Sequence, residues 1–181
     1  KISKKIHIIN FFFIYKVLSF FYKYFFKSEL DNVNFNINSL SDLDQTDRLI
    51  NFSQSEKKKI NDKLKVLGIK EDEKWICIHN RDKSYLNNIY PKDDWKYHSY
   101  RNFSINDMNS VAEEMIKKGY SVIRIGNIVE EKMSIKHKRI IDYHLVNDKS
   151  ELLETFLLSN AKLYFGSDSG IFNVSMANKV P

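Results

Sequence analysis

Residues Ala161 to Pro181 read A-K-L-Y-F-G-S-D-S-G-I-F-N-V-S-M-A-N-K-V-P. The stretch begins with a short apolar run, continues through a turn of small residues that carries one acid, and ends in a segment of helical character. This order predicts a β-strand, a tight turn and the beginning of a helix. Small residues at such a turn leave backbone N–H groups bare, and the N-terminus of a helix is positive. The turn therefore suits an anion, typically a phosphate.

A second apolar run, from Trp75 to Asp82, reads W-I-C-I-H-N-R-D and predicts another strand at 75–79. Its carboxyl end carries His79, Asn80 and Arg81. Only five of the 29 basic residues in the chain are arginine, and arginine is the side chain that grips phosphate with two parallel N–H donors. Arg81 at a strand end therefore indicates an anionic ligand. His79 is either a ligand contact or a packed side chain.

Helical and strand patterns alternate along the chain from Phe52. Ser53 and Glu56 form a capping box that opens a helix, and Gly68 ends it. The same reasoning predicts helices at 105–118, at 150–160 and from 171, and strands at 121–125, 139–143 and 162–165. This alternation is typical of an α/β domain with an open parallel sheet and right-handed crossovers. Arg124 lies inside a predicted strand and is expected to form a structural ion pair.

In open parallel sheets, ligands bind outside the carboxyl ends of the strands. Three predicted strand ends carry residues that suit a phosphate. They are the His79 to Arg81 segment, Gly126, and the turn formed by Ser167, Asp168, Ser169 and Gly170. Their convergence predicts a site for a nucleotide or a nucleotide sugar.

The segment from Asp82 to about Asn106 is polar and rich in aromatic residues, and we expect a long loop there. Long loops in compact domains are usually functional or disordered, and the aromatic side chains argue against plain disorder. Arg101 lies in this loop. It either holds a phosphate above the strand ends or is solvated.

The composition further restricts the possible partners, the compartment and the cofactors. The net charge of +6 reflects either solvated lysines or attraction to an anionic membrane or substrate. A single cysteine, Cys77, excludes a disulfide framework and suits a reducing compartment. The five histidines form no paired motif, so we expect no metal site and no cofactor.

The N-terminal residues 1–51 differ from the rest of the chain. Residues 6–27 are apolar and aromatic but are interrupted by Asn10, Lys16 and Lys23. Three interpretations stay open: an interfacial helix on a membrane, a helix buried in a missing N-terminal domain, and a membrane span. Residues 28–51 are polar, and we expect a linker or a surface loop there. We expect a cytoplasmic protein, peripheral on the inner face of the plasma membrane if it meets a membrane, and a domain at 52–181 that is truncated at its C-terminus.

From Phe52 to Pro181 the pattern resembles the donor-binding domain of GT-B glycosyltransferases. The segment 161–181 is closest to the heptosyltransferase-type enzymes, and I-H-N-R at 78–81 resembles the His-x-Arg motif of α1,6- and O-fucosyltransferases. Together with Y-H-S-Y-R-N-F-S-I-N at 97–106, the chain looks like bacterial glycosyltransferases found with O-antigen and surface-polysaccharide genes.

The resemblance implies a Rossmann-like GT-B domain that transfers a sugar from a nucleotide-diphosphate sugar to a cell-surface glycan or a lipid-linked acceptor, without nucleic acid or metal. It implies that Arg81 binds the donor diphosphate and that Asp168 holds sugar hydroxyls, both acting in catalysis. The implied substrate-binding residues are His79, Asn80, Arg101, Gly126, Ser167, Ser169 and Gly170. Asn80 and Asp82 depart from the basic residues that often surround His-x-Arg, which puts a GDP-fucose donor in doubt.

Two other functions fit the same residues. One is a nucleotide-binding α/β module of flavodoxin or receiver type, although a receiver requires acids where this chain has His79, Asn80 and Arg81. The other is a degenerate glycosyltransferase homologue that acts as an assembly partner. The catalytic base of inverting GT-B enzymes lies in an N-terminal domain, so no base is assigned.

Overall fold

The structure of the protein, a computed structural model, describes residues 48–181. The predictions for residues 6–27, and those for nearly all of the 28–51 linker, lie outside the described residues. No helix within 48–181 is both long and apolar enough to cross a membrane.

A four-stranded parallel sheet forms the centre of the described domain. Its strands are β1 (Trp75–His79), β2 (Ser121–Arg124), β3 (Ile140–Asp142) and β4 (Tyr164–Gly166), in the order β3-β2-β1-β4. Every pairing is parallel. The predicted α/β class and open parallel sheet are therefore confirmed. β1 and β2 lie in the interior of the sheet, and both are buried along their whole length.

Five α-helices accompany these strands in the described residues: α1 (Gln54–Val66) before β1, α2 (Ser84–Ile89) and α3 (Asn109–Lys117) between β1 and β2, α4 (Glu151–Asn160) between β3 and β4, and α5 (Phe172–Ala177) after β4. The predicted capping box opens α1, because the Ser53 side chain accepts from the Glu56 N–H while the Glu56 carboxylate accepts from the Ser53 N–H. Gly68 ends the helix with a φ of 76°, a conformation that favours glycine. The helix predicted at 150–160 is α4, and Ser150 caps it by accepting from the Leu153 N–H.

Two predicted segments differ from the structure. The loop expected at 82–106 contains α2 and a 3-10 helix at Lys96–Arg101, since the Asp82 carboxylate accepts from the Ser84 N–H and begins a helical turn. The helix expected at 105–118 starts with a separate 3-10 turn, Ile105–Met108, before α3. The Ser104 hydroxyl caps that first turn by accepting from the Asn106 N–H.

The core lies on both faces of the sheet, as the alternation of side chains along a strand requires. On one face, Trp75 and Cys77 of β1 pack with residues of α1 and α4, including Ile60 and Leu157. On the other face, Ile76, Ile78, Val122, Ile105, Met108 and Ala112 form a second cluster. Helices therefore cover both faces, and the carboxyl edge of the sheet is left for the loops.

A buried ion pair joins β2 to β3. Arg124 is fully buried, and one of its guanidinium nitrogens lies 3.1 Å from a carboxylate oxygen of Asp142, its register partner on β3. The expectation that Arg124 forms a structural ion pair is confirmed.

Gly166→Ala is expected to lower the free energy of unfolding by about 1–3 kcal/mol, the range for overpacking. An alanine Cβ at this position would lie 2.2 Å from the backbone oxygen of His79 on the neighbouring strand. Chemical denaturation measures the loss. The control is Gly170→Ala, because a Cβ there meets nothing within 4 Å. Equal losses in the two variants would contradict the packing argument.

Candidate functional site

A cavity of about 530 Å³ opens at the carboxyl edge of the sheet. Its wall is built from the ends of β1 and β2, the start of α2, the first turn of α4 and the turn after β4. The lining includes six of the residues predicted from sequence: His79, Asn80, Arg81, Gly126, Ser169 and Gly170. Parallel strands place these distant segments together, because all their carboxyl ends share one edge.

His79 is a buried histidine at the end of β1. Its Nδ1 lies 3.0 Å from the backbone oxygen of Ile125, which can only accept, so Nδ1 carries the proton. Burial lowers the pKa of His79, the hydrogen bond to Ile125 opposes this shift, and the nearby Arg124 charge adds to it. This shift favours the neutral ring, in which the second nitrogen, Nε2, is an acceptor. The structure gives His79 a packed role and leaves it one free acceptor atom.

Asn80 is a bridging side chain. Its amide nitrogen donates to the Phe103 carbonyl at 2.9 Å, and its amide oxygen accepts from Arg124 at 3.1 Å. Both the nitrogen and the oxygen of the Asn80 side-chain amide are thus hydrogen-bonded within the protein. Asn80 lines the cavity, but these contacts show it holding the loop before α3 against the sheet.

Asp82 plays a part that the sequence did not reveal. One carboxylate oxygen accepts from the Ser84 N–H and the other from the Glu130 N–H, each at 2.8 Å. Lys83 adds an ion pair to Glu130 at 2.8 Å. Asp82 therefore fixes the segment after β2 against the start of α2. The hydrogen bond between Asp82 and Glu130 joins residues 48 positions apart in the sequence. No local sequence pattern therefore predicts it.

Arg81 and Arg101 form a cationic pair near the mouth of the cavity. Burial and the Arg101 charge lower the pKa of Arg81, whereas Asp168 raises it. Arg101 does not line the cavity, and its buried Nε has no hydrogen-bond partner within the described residues. The Arg101 charge therefore acts on Arg81, but only Arg81 lines the cavity.

Aromatic rings cover the segment that carries Arg101. Trp95 stacks on His98, with centroids 6.0 Å apart and planes 13° from parallel, and Tyr90 lies 5.8 Å from the Trp95 ring. The Nδ1 of His98 accepts from the Arg101 guanidinium at 2.5 Å. Burial and the Arg101 and Arg81 charges lower the pKa of His98. The aromatic group thus anchors Arg101.

The turn after β4 supplies backbone donors. The Ser167 N–H donates to the His79 carbonyl at 3.1 Å, an approach that the absent side chain of Gly166 allows. The Phe172 N–H closes the first turn of α5 on the Ser169 carbonyl. Among residues 48–181 no protein acceptor takes the N–H of Ser169 or Gly170. Both residues line the cavity, so their N–H groups are candidate donors to a ligand there.

Ser167 and Asp168 do not line the first cavity. They line a second, more open cavity of about 580 Å³ together with Phe103, Phe165 and Phe172. The Ser167 hydroxyl is buried there without a partner in the described part of the chain. The residues of the turn are thus divided between the two cavities. Ser167 and Asp168 line the second cavity, and Ser169 and Gly170 line the first. Asp168 still lies close enough to Arg81 to raise its pKa.

Acidic residues of α4 complete the first cavity. Glu151 and Glu154 line it from the first turn of the helix. Burial raises the pKa of Glu154, and the Glu151 charge raises it further, while Lys149 lowers it. Sequence analysis overlooked both residues, although the Ser150 cap placed this turn at the carboxyl edge of the sheet.

Within residues 48–181, no group of three or more His, Cys, Asp or Glu side chains could hold a metal ion. Comparison of the chain with protein-family models, with curated proteins and with solved structures found no match. The residues of the site themselves therefore indicate its chemistry. They offer a cation, two bare N–H groups and a neutral imidazole, a set that suits a phosphate ester or diphosphate.

The lowered pKa of His79 predicts a pH-dependent stability. The folded state binds this proton less tightly than the unfolded chain. The contribution present above the ordinary pKa of 6.5 is therefore lost as the pH falls through the folded-state pKa. In His79→Asn the amide can still donate to Ile125, but nothing titrates. Its free energy of unfolding should depend less on pH below 6.5 than that of the wild type. Parallel curves from denaturant titrations would show that His79 is not held neutral.

Proposed function

We propose that the domain binds a nucleotide-diphosphate sugar and belongs to a glycosyltransferase that transfers the sugar to a glycan or a lipid-linked acceptor. One observation carries the proposal: Arg81, Ser169 and Gly170 line one cavity at the carboxyl edge of a parallel sheet, and no acceptor within residues 48–181 takes the N–H of Ser169 or Gly170. Its volume of about 530 Å³ falls in the range for small-molecule and cofactor sites. The resemblance to Rossmann-like GT-B donor domains supports the same function and is part of this proposal.

The proposed chemistry depends on neutralising a leaving group. As the glycosidic bond breaks, negative charge develops on the nucleoside diphosphate and positive charge on the sugar ring. Donors already aimed at the diphosphate stabilise this charge separation without reorganising. Arg81 supplies a full charge, and Ser169 and Gly170 supply N–H groups. Asp168, beyond the turn, would hold the sugar hydroxyls.

A second candidate function follows from the position of Asp168. Because Asp168 lines the second cavity and not the one that contains Arg81, the first cavity could bind a nucleotide without any sugar chemistry. In that case the domain is a nucleotide-binding module or a degenerate homologue that assists assembly. A module of this kind would bind free nucleotides and nucleotide sugars equally well.

Membrane contact is also part of the proposal. A protein that modifies a lipid-linked acceptor would work in the cytoplasm at the inner face of the plasma membrane. The apolar residues 6–27 and the net charge of +6 support this location.

Arg81→Ala is expected to weaken binding of a nucleoside diphosphate by about 1.5–3 kcal/mol, the range for a hydrogen bond to a charged group. Isothermal titration calorimetry against UDP, GDP, ADP and CDP measures the loss. Lys92→Ala removes the same charge from an exposed position and serves as the control. Unchanged affinity in a folded Arg81→Ala protein would remove Arg81 from the site.

Asp168→Asn is expected to separate binding from turnover. Asp168 is exposed and makes no hydrogen bond to the protein in the described region, so the substitution should leave stability unchanged. Free nucleotide affinity should persist, because a carboxylate does not bind phosphate. Sugar transfer should fall at least about tenfold, or about 1.4 kcal/mol, because charge-assisted bonds to hydroxyls weaken. Full transfer activity in this variant would assign Asp168 no role in catalysis.

A further inference from the structure

The segment between β1 and α3 carries a group of aromatic rings that the proposed function does not use. Within residues 84–101 these side chains, which we call the aromatic surface, are Tyr85, Tyr90, Trp95, Tyr97 and Tyr100. Neither of the two short helices in this segment contains a buried residue, and none of the five rings belongs to either core cluster. The four tyrosines are between 51% and 79% exposed. The rings therefore face solvent and do not stabilise the core.

Three of these rings are neighbours, and local hydrogen bonds hold them in place. The Trp95 ring lies 5.8 Å from the Tyr90 ring and 6.2 Å from the Tyr97 ring, measured between centroids. The Trp95 indole N–H donates to the Tyr90 carbonyl at 3.3 Å, and the His98 N–H donates to the Trp95 carbonyl at 3.0 Å. Contiguous exposed rings mark interaction sites. Because these rings are ordered in advance, they lose little entropy when they bind a partner.

The type of ring indicates the chemistry of the partner. The chain has thirteen phenylalanines and ten tyrosines, yet residues 84–101 contain four of the tyrosines and no phenylalanine. Every ring of the aromatic surface therefore carries a polar atom beside its apolar face. No group within residues 48–181 forms a hydrogen bond to any of the four tyrosine hydroxyls. A partner that offers both C–H groups and hydroxyl groups would satisfy the ring faces and these hydroxyls together.

The charge of the segment argues against an anionic partner. Residues 84–101 contain three cations and two acids, which are Lys92, Lys96, Arg101, Asp93 and Asp94. Burial and the neighbouring arginine charges lower the pKa of His98, so this side chain adds no charge at neutral pH. Surfaces that bind nucleic acids or anionic lipids are much more positive. A sugar ring is neutral and has C–H groups on its faces and hydroxyls at its edge, so it fits both the rings and the charge.

The aromatic surface begins at the mouth of the first cavity. Tyr85 lines that cavity together with Arg81. Burial and the Arg101 charge lower the pKa of Arg81, and Tyr100 and Tyr97 oppose that shift, so both rings lie near the Arg81 side chain. A glycan that rests on these rings would therefore reach the place where the diphosphate is proposed to leave the donor.

We propose that the aromatic surface binds a neutral glycan, with sugar rings stacked on Tyr97 and Tyr100, and that it presents this glycan as the acceptor. Binding of the glycan does not depend on the proposed function, but its role as the acceptor rests on it. The assignment goes further than the proposed function by naming where the acceptor binds. It also makes a glycan, and not a lipid, the part of the acceptor that the described domain recognises.

An array of neutral oligosaccharides tests this surface with the full chain. The wild type should bind at least one glycan of the array, and isothermal titration calorimetry then measures the affinity for that glycan. The double substitution Tyr97→Ala/Tyr100→Ala should weaken binding at least about tenfold, because two stacked rings are removed. Tyr97→Phe/Tyr100→Phe should weaken it no more than about threefold, because the ring faces remain.

The control for exposed apolar area is Val66→Ala on α1. Val66 is 83% exposed, so its removal takes away apolar surface outside the aromatic surface and should leave the glycan affinity unchanged. All three substituted positions are exposed, and denaturant titration shows whether each variant is folded.

The outcomes separate the two proposals. Failure of the wild type to bind any glycan, or equal glycan affinity of the wild type and the double alanine variant, would overturn the glycan site. The proposal is also wrong if the double variant loses affinity only for vesicles of phosphatidylglycerol and phosphatidylethanolamine, because the rings then contact a membrane. Calorimetry of the wild type with UDP, GDP, ADP and CDP tests the proposed function separately. If the glycan binds but no nucleotide does, the proposed function and the acceptor role fail, and the aromatic surface remains a glycan site.

Discussion

Arg124 is a cation with no access to water, and the described domain is organised around neutralising it. Taking such a charge out of water costs several kcal/mol unless partners surround it. Asp142 on β3 supplies the countercharge, and Asn80 at the end of β1 accepts a second N–H. Asp142 also accepts from the Met133 N–H, and Asn80 donates to the Phe103 carbonyl. One guanidinium group thus ties the carboxyl ends of three strands to two of the loops that lie above them. Removing Asp142 would leave the Arg124 charge buried without a countercharge, and removing Asn80 would leave one of its N–H groups without that acceptor.

This network places the candidate site next to the most constrained part of the sheet. Asn80 stands between a packed His79 and the proposed ligand residue Arg81, so the backbone that presents Arg81 is fixed by buried hydrogen bonds on its own strand end. Asp82, one residue further, holds the segment after β2. Side chains that belong to a rigid frame lose little entropy when a ligand binds, which favours affinity. The two cavities therefore meet at a turn whose position is set by β1, through the contact between Gly166 and His79.

Much of the fold could be predicted from sequence because its signals are local. The capping box at Ser53 and the apolar run at 75–79 each lie within a few residues, and parallel pairing then brings the strand ends together. The Asp82 contact with Glu130 and the exposure of the Glu154 carboxylate to the cavity depend on tertiary packing, and sequence analysis missed both. Asp168 and Ser169 line different cavities because of the direction of the backbone at this turn, and residue type alone does not predict that direction.

The aromatic cover over Arg101 has an optical consequence. The chain has two tryptophans, and they occupy opposite environments. Trp75 is buried in the core with its indole N–H bonded to the Leu157 carbonyl, so its emission reports only on unfolding. Trp95 stacks on His98, whose Nδ1 is held by the Arg101 guanidinium. An anion that draws Arg101 away would release that imidazole to take up a proton, and a protonated imidazole quenches a neighbouring indole. Occupancy of the site would thus be visible as a change in fluorescence, with no label attached.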